Sequence, residues 1–166
     1  MMEGIMATEK QIEVTIENFE PMRVASFYGF GPSPENIAME KLIAWAKPKG
    51  YLKSPGEHRI FGFNNPNPSQ GTPNYGYEFW ITVGDDVEPE GDIRIHQFNG
   101  GLYAVTRCTD AGPEGKGITE TWMNLFRWIQ GSRYTIAAHQ SLEEHIGEFP
   151  LPLEKMVLDI CMPVSE

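Results

Sequence analysis

The chain repeats itself at roughly half its own length. Residues 43–51 read Ile-Ala-Trp-Ala-Lys-Pro-Lys-Gly-Tyr and residues 126–134 read Phe-Arg-Trp-Ile-Gln-Gly-Ser-Arg-Tyr, so that Trp45 and Tyr51 fall on Trp128 and Tyr134. Further on, Glu78-Phe-Trp-Ile-Thr-Val83 matches Asp159-Ile-Cys-Met-Pro-Val164. Units this short cannot each bury a sufficient core, so the repeat predicts one domain made of two packed halves, residues 11–86 and 92–166. Such a domain has one natural place for a ligand, the seam between the halves.

The local patterns give each half the same order of elements. Residues 11–17 alternate polar and apolar as a half-buried strand does, and residues 22–30 are rich in Val, Phe and Tyr. Gly31-Pro32-Ser33-Pro34 then breaks the strand and opens a helix, with Ser33 as its cap and Pro34 at its first position. Ala38, Leu42, Trp45 and Ala46 share one face of that helix, which Pro48 and Gly50 end. Strands are expected at 58–63 and 75–83, with the turn-rich segment 64–74 between them. In the second half, 93–98 and 102–108 read as strands joined by a hairpin turn at Asn99-Gly100-Gly101. Ile118, Trp122, Leu125, Phe126 and Ile129 define a second helix stopped by Gly131, and 143–149 and 156–163 supply the last strands. Runs of strands with one helix per half imply an α+β fold, an antiparallel sheet covered by two helices. Residues 1–10 carry no packing signal and are expected to form a flexible segment.

Composition excludes several roles. A net charge of −10 and a pI near 4.8, with Lys and Arg scattered singly, argue against direct binding to nucleic acid. No apolar run reaches the length needed to span a bilayer, and the opening residues, with Glu3 and Glu9, do not form a secretory signal. The expected location is cytoplasmic. Cys108 and Cys161 each sit in an apolar run and read as buried free thiols. His58, His96, His139 and His145 lack metal-ligand spacing, and Gly112–Gly117 fails as a phosphate loop because Lys116 precedes Gly rather than Ser or Thr. No metal and no cofactor is expected.

Pro21-Met-Arg-Val-Ala-Ser26, Tyr77-Glu78-Phe-Trp-Ile-Thr-Val83, Gly100-Gly-Leu-Tyr-Ala-Val105, Leu142-Glu143-Glu-His145 and Leu158-Asp-Ile-Cys-Met-Pro163-Val appear in the order and spacing of a known family. Over residues 12–164 the chain resembles the GyrI-like small-molecule-binding family, also known as the AraC-type effector-binding domain. The resemblance implies a duplicated strand–helix–strand–strand unit with pseudo-twofold symmetry and a ligand cleft at its seam. In the family's drug sensors an acidic residue on a central strand meets cationic aromatic ligands, and the match here is Glu78; Glu143 matches an acidic position in the penultimate strand. The family also includes gyrase-inhibitor-like proteins and hydrolases of strained-ring compounds. A chain of 166 residues leaves no room for a DNA-binding domain beside this one, so it looks like a stand-alone member of an otherwise regulatory group.

The residues themselves support a binding cleft. Glu78 sits between Tyr77 and Phe79, with Trp80 on its own face of the strand. A carboxylate among aromatic rings is costly to desolvate and gains from a cation, which the rings also attract. Tyr28, Tyr75 and Tyr103 offer polar handles in such a cleft, and Trp128 lies off the apolar stripe of its helix, free to line it. Trp45, Trp122, Phe126 and Trp128 have core packing as their default reading, lining of the cleft or of a partner surface being the alternative for Trp128. Should Glu78 and Glu143 share the cleft, with His145 beside Glu143, a general acid and base would be available and the protein would be a hydrolase. A third reading is an acidic module that inhibits a protein partner. The sequence thus favours a small-molecule ligand, aromatic or cationic and lipophilic, and leaves open a protein partner or a homodimer.

Overall fold

In the computed structural model residues 12–166 are described; the segment 1–10 expected to be flexible lies outside them. Nine strands form one antiparallel sheet: β1 (Thr15–Phe19), β2 (Met22–Gly31), β3 (Ile60–Asn64), β4 (Tyr75–Thr82), β5 (Arg94–Phe98), β6 (Gly101–Cys108), β7 (Thr135–Ile136), β8 (Leu142–Ile146) and β9 (Val157–Ser165). Helix α1 (Pro34–Ala46) follows β2 and helix α2 (Lys116–Gln130) follows β6. The sheet order is β1-β6-β9-β8-β3-β4-β2-β5, with β7 added to β9. That order reads the same from either edge when β1 exchanges with β5, β2 with β6, β3 with β8 and β4 with β9. The central pair is β3–β8, in which Gly62 lies opposite Glu143.

Asn99-Gly100 does not make the expected hairpin. Strand β5 pairs with β2, and β6 pairs with β1. Two short links, Glu20-Pro21 and Asn99-Gly100, therefore join strands at opposite ends of the sheet order. Two residues between strand ends span at most about 11 Å, whereas six flat strand spacings amount to about 29 Å. The sheet has to curl into a half-barrel for these links to close. Gly100 makes the corner possible: its φ is +76°, and a Cβ there would lie 2.0 Å from the Phe19 carbonyl oxygen.

Curling gives the sheet two apolar faces. The concave face gathers Phe19, Phe61, Phe63, Trp80, Phe98 and Tyr103 from strands that are distant in the order. Phe98 of the edge strand β5 comes within 6.5 Å of Tyr103 on β6, ring centroid to centroid. The convex face carries the helices. Under α1 lie Ala25, Phe27, Tyr77, Phe79 and Ile81; under α2 lie Ala104, Cys108, Leu158, Ile160 and Met162. Both cysteines are free and buried, Cys108 under α2 and Cys161 on the concave side.

The helices form where the sequence places them. Pro34 opens α1 at its first turn, Ser33 stands at the cap position without a side-chain cap bond, and Gly131 caps α2. α1 packs on β2 and β4 and α2 on β6 and β9, with the backbones of the two helices apart from one another and from the central strands β3 and β8. The convex side of the seam lies between the two helices, and the side chains of Tyr77 and Trp122 reach over it.

Candidate functional site

Period-two alternation decides which side of the sheet each candidate faces. On β4, Tyr75, Tyr77 and Phe79 point to the helices, while Glu78 and Trp80 point to the concave side. On β8, Leu142 and Glu144 are concave and Glu143 and His145 face the helices, because each shares a side with the residue it pairs: Glu143 with Gly62, His145 with Ile60. Glu78 and Glu143 thus stand on opposite faces, and the carboxylate pair that a shared cleft requires is not formed. The acidic residue on the helix side of the seam is Glu143, with Glu144 on its concave side paired to Arg59. Glu78 lies one strand away from the seam, on β4.

Glu143 sits low between the helices, held by two aromatic donors. The Tyr77 hydroxyl donates to its Oε1 at 2.8 Å and the Trp122 indole N–H to its Oε2 at 2.9 Å. The Tyr77 phenol can reach it because β3 carries a glycine in between: a Cβ on Gly62 would meet the Tyr77 Oη at 2.2 Å. Desolvation raises the Glu143 carboxyl above the ordinary carboxylate value, more than the Trp122 and Tyr77 bonds lower it. Burial likewise pushes the Tyr77 phenol far up, with the Glu143 charge adding to the effect.

The walls around this carboxylate are aromatic. From α2, Trp122 is partly exposed, and Phe126, one turn on, is 43% exposed. Both are expected in the core on periodicity; Trp122 does pack at the margin of the core beneath α2, which Leu125 and Ile129 fill, whereas Phe126 is left exposed. On the α1 side the Tyr75 hydroxyl donates to Glu35, at 2.9 and 2.7 Å from its two oxygens, and burial followed by that contact raises Tyr75 to about 12. His145 stands between Phe79 and Phe149, its ring centroid 5.4 and 5.2 Å from theirs, and burial lowers it to about 4. A hollow of about 230 Å³ bounded by Tyr51, His58, Ile60, His145 and Phe149 lies at this end of the seam.

The other candidates fall elsewhere. Trp128 packs at the margin of the core beneath α2 instead of lining the seam. Tyr103 is fully buried on the concave side, its ring tilted against Phe19 at 4.6 Å between centroids and its hydroxyl donating to the Gln140 carbonyl. Glu78, Trp80 and Tyr28 come together in a separate concave cleft of about 820 Å³. Two features of the seam escape the sequence reading. Gly62 carries no motif, and Trp122 looks like packing until β8 is placed beneath it; its spacing to Phe126 is shared by any amphipathic helix.

The sequence matches the description "GyrI-like small molecule binding domain" over residues 12–165. The chain belongs to this family. Solved structures of similar fold include the EcmrR C-terminal domain, with TM-score 0.67 and 14% identity over 95% of this chain and 99% of that one. A hydrolase from Listeria innocua matches at TM-score 0.66 and 13% identity, covering 99% of this chain and 98% of that one. SAV2435 bound to tetraphenylphosphonium matches at TM-score 0.54 and 16% identity, covering 93% and 94%. EcmrR also matches in its complex with DNA, at TM-score 0.68 and 14% identity; the GyrI-like chain is covered to 99% and spans 62% of that EcmrR chain. No curated protein matches by sequence. Among the described residues, no helix of this GyrI-like domain is long and apolar enough to cross a membrane.

Proposed function

We propose that this domain captures hydrophobic organic cations in the groove over β3 and β8, with Glu143 as the countercharge. The observation that carries the reading is Glu143 itself, a desolvated carboxylate held between Tyr77 and Trp122 at the seam between the two helices. A desolvated carboxylate gains a partner when a cation arrives, and rings around it attract the same charge by about 0.5–2 kcal/mol each. SAV2435, of similar fold, has been solved with such a cation. EcmrR carries a domain of this fold within a protein solved on DNA, which supports an effector-sensing role in gene regulation.

Calorimetric titration of tetraphenylphosphonium tests this reading. Binding is expected to be lost in Glu143→Gln and kept in Glu78→Gln, since Glu78 faces the other side of the sheet. Full affinity in Glu143→Gln rejects the groove as the cation site.

One observation favours a second reading. A carboxyl with a raised pKa in an aromatic groove can deliver and retrieve a proton, as a hydrolase of a strained, uncharged electrophile requires. The residue is then Glu143 alone, with Tyr77 fixing its orientation, and the pairing with Glu78 plays no part. Turnover of such a compound that disappears in Glu143→Gln, without cation binding in the wild type, selects this reading.

A further inference from the structure

The concave side of the sheet holds a cleft that has no lining residue in common with the groove over the seam. It measures about 820 Å³ and is built mainly on β2, β4 and β5. Glu78 lies opposite Tyr28 in this cleft and is held by neutral donors only. Ser26 Oγ and Trp80 Nε1 each lie 2.7 Å from Oε2, and Asn65 Nδ2 lies 3.3 Å from Oε1. A carboxylate offers about four lone-pair positions, so Oε1 keeps one open toward the cleft.

Two other concave carboxylates are each bound to an arginine. Glu144 is paired with Arg59 at 2.8 Å, and Asp159 with Arg107 at 2.8 Å. Asp92, which also lines the cleft, is tied to Lys41 at 2.9 Å. Among the described residues Glu78 has no such cation. Arg94 of β5, paired in register with Ser26 and therefore on the same face, is exposed in the same cleft and makes no ion pair among the described residues. The cleft presents one carboxylate and one guanidinium, neither neutralised by the fold, with Trp80 and Phe98 as its apolar side and Asn65, Gln97 and Gln140 as its polar side.

We propose that this cleft is a second ligand site, selective for small polar zwitterions that place a cationic group on Glu78 and a carboxylate on Arg94. A free basic amino acid is the simplest such ligand. The two fixed charges set the ligand's direction. Charge-assisted hydrogen bonds of this kind contribute enough to change affinity roughly ten- to a hundredfold when one partner is removed.

The test is calorimetry with L-arginine and with agmatine, which lacks the carboxylate. Glu78→Gln is expected to weaken both by that factor. Arg94→Ala should weaken arginine alone and leave agmatine equal or tighter. Glu143→Gln should leave both unchanged, so this site and the seam groove stand or fall separately. Absence of arginine binding to the wild type, or binding indifferent to Glu78→Gln, overturns the proposal. Should Glu78→Gln fail to fold, the exposed Arg94→Ala decides: equal weakening of arginine and agmatine, or of neither, overturns it as well.

Discussion

The phenol of Tyr77 reaches over Gly62 to donate a 2.8 Å hydrogen bond to Glu143, so that β4, β3 and β8 meet in one contact. The bond ties the wall of the groove to its floor and holds the buried carboxylate in place. A cation that takes over Glu143 does so against this bond and the parallel one from Trp122.

Gly62→Ala tests the geometry directly. The added methyl meets the Tyr77 oxygen at 2.2 Å and two ring carbons at 2.7 and 2.8 Å, and Tyr77 is buried with no room to retreat. Overpacking and loss of the bond together should cost about 1–3 kcal/mol, read as a lower urea midpoint, with weaker cation binding alongside. Unchanged stability and affinity would show that the Tyr77–Glu143 contact is dispensable.

Cation affinity should depend on pH through Glu143. Its carboxyl is raised by desolvation, so protons compete with the cation in a window that starts at the ordinary carboxylate value and extends above it. Affinity for tetraphenylphosphonium is expected to rise with pH across that window. Glu143 also binds more protons folded than unfolded there, so its contribution to stability falls as pH rises. Calorimetry across this range checks the first statement, and a pH-independent affinity contradicts it.

His145 acts in the opposite sense. It is neutral in the fold down to about 4, while in the unfolded chain it gains a proton below about 6.5. Stability that is complete above the unfolded value is lost as pH falls through this interval, on the order of 3 kcal/mol at the acid end. Urea unfolding at neutral and acid pH should show a smaller acid loss in His145→Leu than in the wild type. Equal losses in the two proteins would assign the acid sensitivity elsewhere.

The half-barrel rests on the corner at Gly100. Any side chain there meets the Phe19 carbonyl at 2.0 Å and must adopt a positive φ. Gly100→Ala is expected to destabilise by about 2 kcal/mol or more and to loosen the Phe19–Tyr103–Phe98 cluster, seen as a change in near-ultraviolet circular dichroism. A variant with wild-type stability and spectrum would mean that the curl does not depend on this link.

The elements were legible in the sequence because their causes are local. Alternation marked the strands, Pro34 and Gly131 bounded the helices, and the apolar runs around Cys108 and Cys161 foretold buried thiols. The family was legible too, since its short motifs keep their order along the chain. Strand partnership was not: Asn99-Gly100 reads as a hairpin turn, and only the pairing of β5 with β2 and β6 with β1 turns it into a corner. The side of the sheet on which a residue acts depends on that partnership. Alternation shows that Glu78 and Trp80 share a face, and that Glu143 and His145 share one, but it does not say whether the two faces are the same. The curl of the sheet and the placement of α1 and α2 put Glu143 on the helix side of the seam and Glu78 on the concave side, because register and helix placement arise from contacts between residues far apart in the chain.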